Sequence, residues 1–526
     1  MKGDKTQPED GSGQELRKAD AALAVVLFAA AIALRIPFRS QFAYHWDSAQ
    51  FALALGDYNI GIGQPQAPGF YLYVTLGRLM HLLVGDPHTA LVWLSVIAGA
   101  WLVAVGTLLG TAMFGRKCGW GTGLILLTSP LCWFHSEVAL TNIVDAALVA
   151  SFIFACWQTI QRGVTWRRTV ALAVLFATVA GVRQQSAPLL VPIWVYAFWS
   201  SGSFRRREFL CSLLLAFGLC LCWFVPTVQS AGGLKAYLHL LQLKSHYDAP
   251  RTVWGGGGIG ALLISVACIG RACWVGLWVA AIIALMEFMH CVLFEKRAIA
   301  EEVYRVNRKQ LWVLTLWIVP MLIFGLLLYV ALPGHVLNFF PALALLASLG
   351  LIGFSKGSLD KLGGYPAVLV VVVVSNVVFF LYPPSALKPL YVDLPMTRVE
   401  IRNHDVALAS CFSLIRRTWP AGRAVIYHRY EDFYWGFRQF EYYLPEYENV
   451  LLSGDSSLPG DLATKKWIGL GNQTTFSDEV TVSNSWEQLL VVPPGFSVNI
   501  FDSKLGIESN TVLLMDLGIR LYRLQR

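Results

Sequence analysis

The stretch AALAVVLFAAAIALRIPF, residues 21–38, decides the class of fold. As a helix these residues extend roughly 27 Å, which approaches the hydrocarbon thickness of a bilayer. A polar segment precedes the stretch and no small-residue cleavage site follows it, so we interpret it as a membrane anchor rather than a removable signal. Residues 1–20, rich in Gly, Gln, Asp and Glu, are predicted to form a disordered cytoplasmic tail.

Similar apolar runs recur as far as residue 382. They lie at 89–113, 120–134, 146–160, 169–183, 187–202, 209–228, 272–294, 311–331, 337–354 and 364–382. The chain is 56% hydrophobic and only 14% charged, whereas globular proteins carry about a quarter charged residues. This composition excludes an ordinary soluble protein. We predict a mainly α, polytopic membrane protein with about eleven transmembrane helices over residues 21–382.

The positions of Lys and Arg indicate the orientation, because short cytoplasmic loops are enriched in them. With the N-terminus inside, every predicted inner loop is basic: Arg116 and Lys117; Arg162, Arg167 and Arg168; Arg205, Arg206 and Arg207; Lys296, Arg297, Arg305, Arg308 and Lys309; Lys356 and Lys361. The pattern holds only if 68–84 does not cross, so we interpret that segment as a helix lying in the outer interface, within an outer loop over 39–88. These loops account for the net charge of +8, and no nucleic-acid partner is expected.

Residues 383–526 have a different composition, and Pro383 and Pro384 mark the boundary. An odd number of crossings places this segment outside. VIY at 425–427, the aromatic stretch DFYWGFRQFEYYL and VLL at 450–452 indicate strand, helix and strand. We predict a small α/β domain. The cysteines show neither zinc spacing nor a disulfide framework.

The outer loop 39–88 carries the first candidate residues. Asp47 follows His45 and Trp46 and precedes the helical pattern SAQFALALG, with Asp57 beyond it. An acid held among aromatic residues at the membrane surface could deprotonate an acceptor hydroxyl or help to hold a metal. The alternative is that Asp47 only favours the N-terminus of a helix.

Two further outer segments carry acids and a cation. Glu137 and Asp145 lie in HSEVALTNIVDAAL at a spacing that places them on one helix face, and either could instead only mark the helix end at the interface. Arg183 lies in AGVRQQSAPLLVP at a predicted outer boundary, followed by Gln184. A guanidinium with neighbouring amides can bind a phosphate, although snorkelling to lipid headgroups would also explain this arginine.

His335 precedes a span in the outer turn ALPGHVLNFFPALALL, where it could meet a phosphate, ligate a metal or only mark the turn. The loop near 231–255 offers His246 and Arg251 to a charged substrate, and Gly255 to Gly258 are interpreted as a flexible connection. No P-loop, nucleophile elbow, HExxH or CxxC motif occurs, so ATP-driven transport, hydrolase and zinc-protease functions have no sequence support.

Five motifs, taken together, resemble the GT-C superfamily of membrane glycosyltransferases, and in particular the bacterial relatives of protein O-mannosyltransferases and aminoarabinose transferases. They are HWDSAQF, QPQAPGFYLYV, HSEVAL, GVRQQ and PGHVLNFFPALALL, in order between about residues 20 and 380. The resemblance implies a polyprenyl-phosphate-linked sugar as donor, transfer of a hexosyl or pentosyl unit on the periplasmic face, and an acid in the first outer loop. It also implies the interfacial helix.

Residue by residue, the resemblance implies that Asp47 is the first-loop acid and that Arg183 lies near the carrier phosphate. The second-loop acid of the family falls nearest Asn142 here, so Glu137 or Asp145 stands in for it. His335 occupies a turn where relatives carry tyrosine or arginine. Arg251 and Gln184 are further candidates for binding the donor phosphate, and His45, Trp46, Asp57 and His246 for contacting the substrate.

The expected reaction is direct displacement by an acceptor hydroxyl of a lipid, glycan or protein, with inversion at the anomeric carbon. No cofactor is required by the sequence, although a divalent metal bridging the acids and the phosphate is compatible with it. The expected location is a bacterial inner membrane, among membrane lipids. Two alternatives stay open: a transporter or flippase of lipid-linked glycans, and an inactive relative that scaffolds partners.

Overall fold

The computed structural model describes residues 16–200, 205–293, 306–328, 332–358, 364–391, 396–418, 420–421, 424–428, 436–451, 474–476, 487–492, 510–514 and 519–524. The predicted tail over 1–20 lies almost entirely outside these residues, as do parts of the predicted domain over 383–526. The described chain is dominated by helices that form one continuous buried core, which includes the fully buried Trp157 and Trp317.

Nineteen α-helices are described. They are α1 Lys18–Arg35, α2 Trp46–Gly56, α3 Tyr71–Val84, α4 Pro87–Phe114, α5 Arg116–Thr128, α6 Pro130–His135, α7 Thr141–Arg162, α8 Trp166–Val182, α9 Ser186–Trp199, α10 Arg206–Ser230, α11 Leu234–Asp248, α12 Gly258–Leu277, α13 Val279–Leu293, α14 Arg308–Leu327, α15 Phe340–Ser358, α16 Gly364–Leu381, α17 Lys388–Tyr391, α18 Arg398–Thr418 and α19 Phe437–Tyr443.

Seven stretches in the described residues are long and apolar enough to cross a membrane, and four shorter helices are also apolar. Large apolar side chains lie on the surface of α10, away from the core. Leu214 is 69% exposed and Phe217 is 63% exposed. An exposed apolar surface of this kind is unfavourable in water and is the expected surface of a helix that faces lipid. The predicted class, a mainly helical membrane protein, is therefore confirmed.

Local sequence signals explain where several helices begin. Asp86 precedes Pro87 and caps α4, its Oδ2 accepting a 2.7 Å hydrogen bond from the Thr89 amide. Ser129 precedes Pro130 and caps α6 in the same way. The side chain of a small polar cap accepts a hydrogen bond from a free amide in the first turn. Proline at the first helical position already has the backbone angle that the helix needs. The chain can therefore turn sharply between adjacent helices of the core.

Glycines allow α4 and α5 to pack closely. A Cβ on Gly110 would lie only 3.0 Å from the Gly119 Cα and 3.0 Å from a Leu345 side-chain carbon. Such an approach is available only without side chains, and small residues are typical of contacts between membrane helices. The contact holds the two helices that lead toward the second outer turn.

The region between α10 and α14 contains helices that the sequence analysis does not predict, among them α11 in the segment treated as a loop near 231–255. The interpretation of Gly255 to Gly258 as a flexible connection, with one span over 272–294, is corrected by two helices, α12 and α13, that meet at Trp278. Trp278 has a φ of +49°, in the left-handed region, which breaks the helix there. The start of α12 is difficult to predict because glycine has a low helix propensity. The apolar run from Ile259 nevertheless forms a helix.

Strands beyond the last long helix form a six-stranded sheet in the order β3-β2-β1-β4-β6-β5. They are β1 Ala424–His428, β2 Glu448–Leu451, β3 Thr474–Phe476, β4 Glu487–Val492, β5 Asn510–Leu514 and β6 Ile519–Leu524. The strands β3, β2, β1 and β4 run parallel, whereas β6 is antiparallel to both β4 and β5. Helices α18 and α19 pack together through Phe412 and Phe440, whose ring centroids are 5.2 Å apart.

Candidate active site

The first outer loop presents Asp47 in the first turn of α2. His45 is the N-cap of this helix, and its Nδ1 accepts a 3.1 Å hydrogen bond from the Asp47 amide. The Asp47 side chain is 26% exposed, and its Oδ1 accepts a 2.7 Å hydrogen bond from the Gln66 Nε2. The carboxylate is thus accessible and oriented. The predicted helix over SAQFALALG is present, so Asp47 also occupies the helix N-terminal position of the alternative reading.

The part of this loop that follows Gln66 contacts the turn that carries Arg183. Two residues after Gln66, the Pro68 carbonyl accepts hydrogen bonds from the Tyr237 hydroxyl at 3.2 Å and from the Gln184 Nε2 at 3.4 Å. Tyr58 donates a 2.9 Å hydrogen bond to the Gly69 carbonyl and closes the loop on itself. The segment 66–68 therefore connects the turn that carries Asp47 to the turn that carries Arg183.

Arg183 lies between α8 and α9 in a buried polar cluster. The side chain is 6% exposed, and the amide oxygen of Gln185, when turned toward it, accepts from Arg183 Nη2 at 3.0 Å and Nε at 2.9 Å. Ser186 Oγ donates a 2.7 Å hydrogen bond to Oδ2 of Asp145, which is 1% exposed. The opposite charges of Asp145 and Arg183 act on each other across the cluster, so Asp145 supports Arg183 electrostatically.

A small cavity opens beside this cluster. Arg183, Gln185 and Ser186 line one side of it, and His335 and Asn338 of the 3-10 turn Pro333–Asn338 line the other. Ile269 of α12 and Phe324 of α14 complete the wall with apolar surface. A cation and a histidine beside an apolar wall are the groups that a phosphate joined to a hydrocarbon chain would contact.

The turn that carries His335 fits tightly against the second outer segment. A Cβ on Gly334 would lie 2.5 Å from Asn142 Nδ2 and 2.8 Å from His135 Nε2. Glycine is therefore required here for space, since any side chain would displace the turn. This contact brings Asn142, the position nearest the expected second-loop acid, beside the turn of His335.

Glu137 is placed away from the cavity. Its side chain is fully buried, accepts a hydrogen bond from the Trp133 Nε1, and lies near the buried Arg35 of α1. Burial raises the pKa of the Glu137 carboxyl well above its usual value, and the charge of Arg35 acts in the opposite direction. The Glu137 carbonyl also accepts a 3.0 Å hydrogen bond from the Ser40 amide, so this segment holds the start of the first outer loop.

Three other candidates lie on exposed surface. Asp57 is at the opposite end of α2 from Asp47, roughly 15 Å along the helix, and is exposed. His246 is exposed near the end of α11, and Arg251 lies against Tyr247, its Nη2 donating a 3.2 Å hydrogen bond to the hydroxyl. None of the three lines the cavity beside Arg183. Within the described residues, no group of three His, Cys, Asp or Glu side chains is arranged to hold a metal.

The site includes residues to which the sequence analysis gave no role. Gln66, Ser186 and Arg35 contact or approach the candidate acids, and Arg438 of α19 lies with its Cζ 5.9 Å from the ring centroid of Trp46. An arginine at the end of an apolar span is a signal that could have identified Arg35. The contact of Arg438 is long-range, and no local pattern indicates it.

Comparison with known proteins identifies the fold. No protein-family model and no curated protein sequence matches the chain. Among solved structures, ArnT from Cupriavidus metallidurans, an aminoarabinose transferase, matches in its apo state with a TM-score of 0.53 and 14% identity over 96% of this chain and 97% of that one. The same protein bound to undecaprenyl phosphate matches with a TM-score of 0.51, 14% identity and the same coverage. The predicted resemblance to the GT-C fold is confirmed.

Proposed function

We propose that this protein is a membrane glycosyltransferase that transfers a sugar from a polyprenyl-phosphate donor to an acceptor hydroxyl on the outer face of a bacterial inner membrane. The fold supports this class, since a protein of the same fold has been solved with undecaprenyl phosphate bound. The acceptor is a lipid, a glycan or a protein, and membrane lipids surround the helices.

The observation that carries the proposal is the link between an acid and a cation at one end of the helices. Asp47 is held by Gln66, and the carbonyl of Pro68 accepts from Gln184, the neighbour of Arg183. A transferase needs its base and its phosphate-binding group on the same side of the membrane, whereas a transporter needs polar groups through the membrane depth. These residues cluster at one end of the helices, which favours a transferase over a transporter.

The proposed step is a single displacement. The acceptor oxygen forms a bond to the anomeric carbon, the bond from that carbon to the phosphate oxygen breaks, and the acceptor proton passes to Asp47. Arg183 and His335, across the cavity, stabilise the departing polyprenyl phosphate. One displacement inverts the anomeric centre. Asp145, which accepts a hydrogen bond from Ser186, offsets the charge of Arg183 rather than acting as a base.

The contacts of α12 support a topology that we propose for the chain. Gly276 packs against Leu131 and Phe340, and Arg271 donates a 3.3 Å hydrogen bond to the Pro389 carbonyl. These partners adjoin predicted outer turns, so we propose that α12 lies along the outer surface although its length and composition suit a span. Eleven crossings then remain, with the N-terminus inside and a C-terminal α/β domain over residues 383–526 outside.

The test is transfer of labelled sugar by the purified protein in lipid, using a panel of polyprenyl-phosphate sugars and membrane extracts as acceptor. We expect transfer by the wild type, loss by about 10²- to 10⁴-fold in Asp47→Asn, and retention in Glu208→Gln, a carboxylate at the start of α10 paired with Arg205. Absence of transfer from every donor would overturn the proposal in favour of transport or scaffolding. The step needs no cofactor, and inhibition by a chelator would indicate a divalent cation between the acids and the phosphate.

A further inference from the structure

Side chains of the outer helices α18 and α19 hold three successive backbone amides just before Asp47. The amides of Gln41 and Phe42 donate to the two oxygens of Asp405, at 2.9 and 3.1 Å. The Ala43 amide donates a 2.7 Å hydrogen bond to the hydroxyl of Tyr443. These partners are more than 360 residues away in the sequence.

Residues 41–45 form no helix or strand, so their amides find no partners in secondary structure. Each buried amide needs an acceptor, and here the outer helices supply them. Rings fix the same segment: Phe42 lies 5.8 Å from Phe412 and 5.0 Å from Tyr443 between centroids. The segment that leads into His45 and Asp47 is therefore held by a separate part of the chain.

A third contact acts on the other side of Asp47. The guanidinium of Arg438 lies over Trp46, and its Nη2 donates to the carbonyl of Ile62, in the turn that follows α2. Its Nη1 donates a 2.7 Å hydrogen bond to Glu441, so the buried charge is paired. Arg438 thus joins the residue before Asp47 to the segment that returns toward Gln66.

We propose that α18 and α19 complete the active site, with Asp405, Tyr443 and Arg438 as positioning residues that hold Asp47 in its reactive orientation. This inference rests on the proposed function, because it concerns the acid of that reaction. None of the three residues needs to touch the substrate. Small displacements of a catalytic group reduce the rate strongly, so these contacts govern turnover more than donor binding.

The experiment uses Tyr443→Phe, which removes only the hydroxyl that accepts from Ala43. Tyr447→Phe is the matched control, since the Tyr447 hydroxyl donates to the Ile415 carbonyl within the outer segment. Two quantities are measured on the full-length proteins in lipid: kcat and KM for the donor, and hydrogen exchange of backbone amides in the peptide that contains residues 41–47.

We expect Tyr443→Phe to lower kcat at least tenfold with a donor KM within twofold of the wild type, and to speed exchange in residues 41–47. Tyr447→Phe should change neither quantity. Faster exchange with unchanged kcat would contradict the positioning role, as would the same loss of kcat in both variants. Arg438→Lys, which keeps the charge and can donate to Ile62, should retain more activity than Arg438→Gln, and wild-type activity in Arg438→Gln would exclude a role for this contact.

If the wild type transfers no sugar from any donor, the proposed function fails and the role of these residues in positioning Asp47 for catalysis fails with it. In that case, hydrogen exchange of the backbone amides alone tests whether the outer helices hold residues 41–47. Equal exchange of residues 41–47 in the wild type and in Tyr443→Phe would show that the outer helices do not hold this segment.

Discussion

The side-chain amide of Gln66 donates a 2.7 Å hydrogen bond to Oδ1 of Asp47, and so joins the start of α2 to the segment that precedes α3. Nineteen residues separate the pair in the sequence. The bond fixes the direction of a carboxylate that is 26% exposed and whose second oxygen lies 3.8 Å from His45 Nδ1. The closed shape of this loop is therefore part of the proposed chemistry.

Replacing Gln66 by Leu removes the donor and keeps a side chain of similar size. We expect about a tenfold loss of kcat in sugar transfer, because Asp47 is no longer held in one orientation. The loss should appear without a change in thermal unfolding, which is measured on the same preparation. A folded variant with the wild-type kcat would show that this hydrogen bond does not matter for turnover.

Asp145 and Ser186 should differ in their effect on stability. Asp145→Asn removes a buried negative charge that acts on the buried Arg183, and a buried charge left without compensation costs about 3 to 5 kcal/mol. Ser186→Ala leaves one carboxylate oxygen without its donor and should cost about 1 to 3 kcal/mol. Denaturant unfolding in detergent gives both free energies. The opposite order would mean that Asp145 does not serve mainly as the partner of Arg183.

Gly334 should not tolerate a side chain. Gly334→Ala places a Cβ against Asn142 and His135, so we expect a loss of about 1 to 3 kcal/mol in the free energy of unfolding. Shortening the neighbour in the double variant Gly334→Ala, Asn142→Ala should recover part of that loss. The control is Gly56→Ala, where the added Cβ meets no atom within 4 Å. Additive losses in the double variant would contradict the proposed contact.

Two acidic residues of the outer helices should make the free energy of unfolding decrease as the pH rises from about 4 to 7. Burial raises the pKa of Asp405 to about 6 and that of Glu400 to about 7. Their contribution is fully present below the unfolded values, near 4, and is lost as pH rises through the folded values, because the folded state then releases protons that it held more tightly. Asp405→Asn and Glu400→Gln should each flatten the dependence of unfolding on pH. An unchanged slope in both variants would contradict these values.

The sequence predicts the helical class well because the length of a membrane span is set by the bilayer. The runs at 89–113 and 364–382 correspond to α4 and α16, which meet the length and hydropathy expected of a span. The break at Trp278 was not predictable in this way. It depends on a left-handed backbone angle at a residue that normally avoids it, and such strain is set by packing.

The candidate site is predictable from the sequence only in part, because some of its contacts join distant segments of the chain. Arg183 and His335 both lie at predicted outer turns, and the structure places them on one cavity. Their roles remain predictions. The contacts of Asp405 and Tyr443 with residues 41–43 join segments that are far apart in the chain, so no pattern or spacing in one sequence indicates them.

In the proposed reaction, Asp47 and Arg183 act on one donor in different roles. The most direct measurement compares donor binding and transfer in Asp47→Asn and Arg183→Lys, with a labelled polyprenyl-phosphate sugar that the wild type uses. We expect Asp47→Asn to bind the donor with wild-type affinity but to transfer less than about 1% as fast, whereas Arg183→Lys should bind it about tenfold more weakly, because lysine cannot hold a phosphate with two parallel hydrogen bonds. Wild-type transfer by a folded Asp47→Asn variant, or unchanged donor affinity and transfer in Arg183→Lys, would contradict the account.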